Sequence, residues 1–232
     1  RRYLSEDLSE LALLTGIVVE HVEELRTREM KRLVAQAELR ALEAQIHPHF
    51  LFNALNTLYG VIPKQAADAR RLVLNLADIF RYFLQVEKTY IPLEEEIRIV
   101  EAYLEVESLR MGPKLVKEIE IDPRVRRERI PILTIEPLVE NAVKHGAAAR
   151  SGGGVVRVKA RLVDGALDVS VEDSGPGFGA KSVPGAGVGL ENVRRRLQLC
   201  YGGAAELRIE SGDQGSRVSF SVPVATLEEV AS

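Results

Sequence analysis

Apolar residues recur three and four apart through the first quarter of the chain: Val18, Val22 and Leu25, then Leu39, Leu42 and Ile46. This spacing predicts helix from about residue 8 to residue 59, and the Glu- and Arg-rich positions between suit a coiled-coil-like lead-in. Gly60 and Pro63 break the pattern. A second helix is predicted over 66–86, with Leu72, Leu76, Ile79 and Phe83 as its apolar stripe. Two amphipathic helices on a short link predict a helical hairpin. Such a hairpin has one apolar face more than a monomer can bury. Dimerisation into a four-helix bundle would cover it; the alternative is an ordinary helical subdomain packed on the rest of the chain.

Beyond residue 90 the pattern becomes mixed. A helix is predicted over 93–110, behind Pro92 and with Glu94, Glu95 and Glu96 in its first turn, where a helix dipole favours acidic groups. A strand over 115–121, a basic loop over 122–131 (Arg124, Arg126, Arg127, Arg129) and a helix over 133–145 come next. Alternating segments at 155–163 and 167–172 predict two strands turning at Asp164–Gly165. A glycine-rich loop, a helix over 190–201 and strands at 205–210 and 217–222 complete the chain. The fold class expected is α+β: the helical hairpin, then an α/β sandwich with one sheet covered by helices. The corresponding divisions are 1–30 as a signalling helix, 31–90 as the hairpin and 91–232 as the sandwich, with a flexible junction near 84–91.

Composition sharpens this division. Of 18 glycines only Gly16, Gly60 and Gly112 precede residue 140, so turns and loops concentrate in the C-terminal half. A net charge of −3 gives no case for a nucleic-acid surface. One cysteine, Cys200, excludes an internal disulfide framework, and a reducing compartment such as the cytoplasm is expected. The longest apolar stretch, 11–19, is interrupted by Thr15 and Gly16 and falls short of a membrane span. The chain opens Arg1–Arg2 without methionine and so reads as a fragment of something longer, with upstream sensor or membrane segments left open.

Three features in the C-terminal half carry chemistry in order: Glu140–Asn141–Ala142–Val143–Lys144–His145–Gly146 at a helix end, Asp173–Ser174–Gly175–Pro176–Gly177–Phe178–Gly179 after a strand, and Gly185–Ala186–Gly187–Val188–Gly189–Leu190 opening a helix. Gly187 and Gly189 leave backbone N–H groups open at a helix N-terminus, which suits phosphate. Asp173 can accept a hydrogen bond from the exocyclic amine of adenine. Gly175 and Gly177 let backbone approach a flat base. Asn141 offers a neutral oxygen for Mg²⁺, and Lys144, one helical turn on, can neutralise phosphate. Each piece alone is weak, and no Walker-type phosphate loop is present.

Together these segments resemble the N, G1 and G2 boxes of the GHKL (Bergerat-fold) ATP-binding family, which contains histidine kinases, DNA gyrase, Hsp90 and MutL. Residues 215–223 resemble the family's closing strand, with Ser216 where a threonine near the adenine is common. The resemblance implies ATP and Mg²⁺ held by Asn141 (the metal ligand), Lys144, His145, Asp173, Gly175, Gly177, Phe178, Gly187, Val188, Gly189, Leu190 and Ser216, with 178–186 as a lid. Hydrolysing members carry a glutamate four residues before the magnesium asparagine; here Pro137 stands there and cannot act as a base. Transfer to a protein acceptor is therefore favoured over hydrolysis.

The acceptor lies in Gln45–Ile46–His47–Pro48–His49–Phe50–Leu51–Phe52–Asn53. On a helix His49, Asn53 and Asn56 form a polar stripe, rotated away from Leu51, Leu55, Leu58 and Ile62. A neutral imidazole is a suitable nucleophile for a phosphoryl group. His47 and His49, two apart on a helix, point to opposite sides and make a poor zinc pair. The stretch is similar to the histidine box of LytS-type (YehU-like) sensor histidine kinases, whose hallmark is Pro-His-Phe-Leu-Phe-Asn. The strings 93–107 (Leu93–Glu94–Glu95–Glu96 onward) and 136–142 resemble that family too. This implies His49 as phosphoacceptor with Asn53 beside it, a homodimer, and a response regulator as partner, by family analogy of the LytTR type. His47 stands where the family usually has Asn. Phe50 stands where many histidine kinases have an acidic base; Glu43 or a water could take that role. The competing readings are a GHKL ATPase or serine/threonine kinase without a histidine acceptor, and a nucleotide-gated scaffold. Arg194, Arg195 and Arg196 read as a solvated helix face, with phosphate contact as the alternative. Residues 1–30 resemble the closing helix of a GAF-type sensor plus a signalling coiled coil.

Overall fold

The computed structural model describes residues 48–84, 88–177 and 186–224. The lead-in helix over 8–47, His47, the lid with Phe178, and part of the junction near 84–91 lie outside the described residues. The chain divides into two compact units, Arg1–Ala54 and Leu55–Ser232. The relationships below lie within the second.

The described elements are α1 (Pro48–Val61), α2 (Ala67–Phe83), β1 (Tyr90–Pro92), α3 (Leu93–Met111), β2 (Leu115–Ile121), β3 (Arg129–Pro131), α4 (Glu136–Asn141), β4 (Gly154–Val163), β5 (Ala166–Asp173), α5 (Ala186–Tyr201), β6 (Glu206–Gly212) and β7 (Gly215–Pro223). The fold is α+β, as the pattern requires. Five strands form one mixed sheet in the order β2-β4-β5-β7-β6, with β2 parallel to β4 and the other neighbours antiparallel. The β4–β5 hairpin turns on Asp164 and Gly165, both at positive φ, the geometry for which Asp-Gly is suited. The run read as a basic loop contains a short strand: β3 pairs antiparallel with β1.

Strand alternation gives the sheet its two faces. Val156, Val158 and Ala160 of β4, Leu167, Val169 and Val171 of β5, and Val218, Phe220 and Val222 of β7 turn inward. They form one core with Leu93, Val100 and Leu104 of α3, Leu138 and Val139 of α4, and Val193 and Leu197 of α5. On the face away from those helices, Glu118, Arg157, Glu172, Arg217 and Glu210 are register partners in turn across all five strands. Arg157 donates to Glu118 at 2.5 Å and to Glu172 at 3.2 Å.

The helical segment departs from the expected stripe. The buried residues of α2 are Val73, Ile79 and Tyr82, while Phe83 is exposed. Ile79 and Tyr82 join Ile91, Ile99 and Ala102 in a second apolar cluster, which packs α2 on α3. Asn75 and Arg71 reinforce that contact by donating to Glu105 at 2.9 and 3.1 Å. Packing of α1 against α2 as a hairpin is not clearly shown. What is visible is the link between them: the Arg70 guanidinium lies 3.7 Å from the Tyr59 ring centre and donates to the Tyr59 and Ile62 carbonyls. Such carbonyls, left unpaired at a helix end, need a donor.

Candidate nucleotide site

The site forms where α4, the ends of β5 and β7, and the start of α5 meet. A cleft of about 330 Å³ is lined by Leu138, Asn141, Ala142, His145, Val171, Asp173, Gly177, Ser216 and Val218. Like small-ligand pockets it is mostly apolar with a few polar groups. The sequence candidates Asn141, His145, Asp173, Gly177 and Ser216 are thus brought together.

Asp173 ends β5 and faces Ser216 of β7 in register. Its Oδ1 accepts from the Gly175 N–H at 2.7 Å. Burial pushes the Asp173 carboxyl up, and the Gly175 and Ser216 N–H groups and Arg150 pull the other way. Arg150 also donates to the Gly175 and Asp213 carbonyls, which braces the loop after β5. Space beside the carboxylate is tight. A Cβ on Gly146 would overlap the Asp173 carboxyl, and one on Gly175 would overlap the Gly146 backbone. Glycine at 146 and 175 is therefore required by close approach.

Asn141 is the last residue of α4, after which residues 142–146 widen into a π-helical turn. Such turns recur at functional sites. Asn141 Nδ2 donates to the Pro137 carbonyl at 2.8 Å, so the side-chain oxygen is the atom left to face the site. Gly189 of α5 lies against this amide: a Cβ there would sit 3.3 Å from Asn141 Nδ2 and 3.9 Å from the Pro137 Cβ. The glycine-rich box and the asparagine box therefore meet directly. Leu190 next to it is buried in the core.

Lys144 pairs with Glu140 on the exposed surface and does not line the cleft. The backbones of Gly187 and Val188 lie in the first turn of α5. Asn53 is exposed in α1, and the backbone of His49 belongs to the same helix; the His49 side chain lies outside the described atoms. Arg194 pairs with Glu191 as a solvated face would. Arg196 instead donates to the Ile132 and Leu133 carbonyls, both at 2.5 Å.

Sequence reasoning missed a group at the other end of α4. Glu96 of α3 is fully buried. Its Oε1 accepts from the Thr134, Ile135 and Glu136 N–H groups at 2.7, 2.6 and 3.2 Å. Its Oε2 accepts from the Tyr82 hydroxyl at 2.5 Å. Burial raises the Glu96 carboxyl and these four donors act against that. Glu136, buried beside Glu140 and Glu96, is pushed up to about 7, chiefly by loss of solvent. The signal in the sequence was the acidic triplet 94–96, where only the third residue faces inward.

A sheet-end aspartate and an asparagine lining one cleft, with a glycine-opened helix packed against that asparagine, are the arrangement expected of an ATP-binding domain of the GHKL type. Comparison with known proteins agrees. Residues 37–115 match the family described as histidine kinase, and residues 127–226 match the histidine kinase-, DNA gyrase B- and HSP90-like ATPases. The sensor protein LytS of Oceanobacillus iheyensis is 29% identical over 95% of this chain and 41% of its own length. LytS of Staphylococcus saprophyticus is 38% identical over 85% of this chain and 35% of its own. The chain thus spans about two fifths or less of these relatives. The histidine kinase domain of Erythrobacter litoralis EL346 has 21% identity and a TM-score of 0.47, over 76% of this chain and 96% of that one. The chain thus carries a histidine kinase region followed by a GHKL-type ATPase region, and over most of its length it is similar to LytS-type sensor proteins. Among the described residues no helix is long and apolar enough to cross a membrane.

Proposed function

We propose that this chain is the kinase portion of a two-component sensor: a protein-histidine kinase that autophosphorylates His49 and passes the phosphoryl group to a response-regulator aspartate. The carrying observation is that the first two boxes line one cleft, with Gly189 of the third box against its Asn141, in a chain that also holds Pro48–His49–Phe50–Leu51–Phe52–Asn53 on a helix. Residues 1–30 serve as the signalling lead-in, 31–90 as the dimerising and phosphotransfer segment, and 91–232 as the catalytic domain. The cytoplasm is the proposed location, and a LytTR-type regulator the proposed partner by family analogy.

Asp173 and Ser216 take the adenine, and the opening turn of α5 with Lys144 takes the phosphates. Asn141 would hold Mg²⁺, and the fit is good: its Nδ2 is committed to Pro137, which leaves a neutral oxygen for a hard cation. The metal supplies charge neutralisation on the phosphates when bound. The chemistry asked of His49 is attack by a neutral ring nitrogen on the γ-phosphorus. The bond to the β,γ-bridging oxygen breaks, ADP leaves, and the proton on the other ring nitrogen is lost afterwards. Pro137 faces Gly189 where a hydrolytic glutamate would stand, which supports transfer over hydrolysis.

The test is incubation of the full chain with γ-labelled ATP. An acid-labile label that disappears in His49→Ala and persists in His47→Ala supports the assignment. Label surviving His49→Ala overturns it, and steady phosphate release or acid-stable label on a partner would favour the ATPase or serine/threonine kinase reading.

A further inference from the structure

The helix that carries Asn141 begins without a local cap. Ile135 supplies no side-chain acceptor, and the Thr134 hydroxyl donates instead to the Pro131 carbonyl at 2.5 Å. The open N–H groups of a helix start need an acceptor when buried. Here it comes from 38 to 40 residues away, in the Glu96 carboxylate. A carboxyl oxygen that takes three N–H bonds at a buried helix start fixes that end strongly.

The carboxylate is held in turn. The Tyr82 hydroxyl, in the last turn of α2, donates to Glu96 and accepts from the Leu133 N–H at 2.9 Å. Leu133 has φ 58°, a conformation a leucine adopts only where its surroundings impose it. Arg196 of α5 grips the carbonyls of Ile132 and Leu133 from the other side. Residues 132–136 are thereby fastened by three side chains from three helices.

We propose that Glu96 is a positioning residue for the magnesium asparagine: it fixes the start of α4, Tyr82 fixes Glu96, and Asn141 five residues on keeps its place opposite Gly189. This rests on the reading of Asn141 as the magnesium ligand. Asp173 and Ser216, which take the adenine, sit on strands away from this joint. Loss of Glu96 therefore weakens the metal-dependent part of nucleotide binding more than the rest, to which α4 contributes only the apolar wall of Leu138, with Ala142 just beyond its end.

The experiment measures affinity of the full chain for a fluorescent ATP analogue in Mg²⁺ and in EDTA, with melting curves as the folding control. The expected result is that Glu96→Ala lowers the Mg²⁺ enhancement by about tenfold or more while affinity in EDTA stays within about twofold, the size usual for groups that orient a metal ligand. Glu96→Gln keeps an oxygen for the N–H groups and falls between. Tyr82→Phe moves the ratio the same way, and the double variant Tyr82→Phe/Glu96→Ala goes no further than Glu96→Ala. If Glu96→Ala does not fold, the other two single variants carry the test. An unchanged enhancement in folded variants, or equal loss with and without Mg²⁺, overturns the proposal while leaving the nucleotide site intact. A wild-type protein with no Mg²⁺ enhancement would instead remove Asn141 as the ligand, and this proposal with it.

Discussion

Gly189 and Asn141 face each other with no room to spare: a methyl on the glycine would stand 3.3 Å from the asparagine amide. The opening turn of α5 and Asn141, proposed above to take phosphate and metal, are thus set at one distance by the absence of a side chain.

Gly189→Val should therefore disturb the site more than Gly189→Ala, because its γ-methyl groups must enter the space of Asn141 and Pro137. Overpacking of this kind costs roughly 1–3 kcal/mol, which carried in full into binding is about 5- to 150-fold in Kd. Titration calorimetry with Mg-ATP is the check. Equal affinities for the valine variant and wild type would show that the two segments separate freely.

Asp173→Asn keeps the shape of the side chain and removes its charge. A hydrogen bond to a charged acceptor is worth about 1.5–3 kcal/mol, so ATP affinity should fall about 10- to 100-fold. Preference for ATP over GTP should narrow as well, since the acceptor reads an exocyclic amine. Fluorescence competition between the two nucleotides measures both effects.

Glu136 makes stability depend on pH. Its carboxyl rises from 4.5 to about 7 in the folded protein, through burial and the neighbouring Glu140 and Glu96, with Lys144 acting against. The folded state therefore binds the proton more tightly than the unfolded chain. The associated stability is present in full below about pH 4.5 and is lost as pH rises through about 7. The unfolding free energy of wild type, from denaturant titration, should fall across this window by roughly 1–3 kcal/mol relative to Glu136→Gln. A variant with the same slope as wild type would remove Glu136 as the source.

Exposed apolar residues on α1 and α2 predict the oligomeric state. Leu58 is 50% exposed, Val61 71% and Leu74 49%. Placing Glu at positions 58 and 74 should convert a dimer to monomer in sedimentation velocity without changing nucleotide affinity. A dimer that survives both changes would locate the interface elsewhere.

Much of the catalytic domain was legible because its signals are local. Strand alternation gave β4, β5 and β7 to within a residue or two, and Asp164–Gly165 announced their turn. Gly146 and Gly175 were legible because close approach there leaves glycine no substitute. Two things were not legible, for one reason. The buried face of α2 runs through Val73, Ile79 and Tyr82 because it meets α3, and apolar spacing alone does not say which of two stripes finds a partner. Glu96 looked like an acidic residue serving its own helix dipole, yet it serves the start of α4. Its partners lie about forty residues on, and long-range capping leaves no periodic trace.

The alternating charges of Glu118, Arg157, Glu172, Arg217 and Glu210 also act as a vernier for assembly. A slip of two residues is the smallest that keeps apolar side chains inward. For β5 such a slip would bring Ser170 or Ser174 beside Arg157 in place of Glu172, leaving that cation with Glu118 alone. Folding thus has a reference mark on the polar face that the interchangeable valines of the other face cannot supply, and mispaired sheets are disfavoured at each of its four seams.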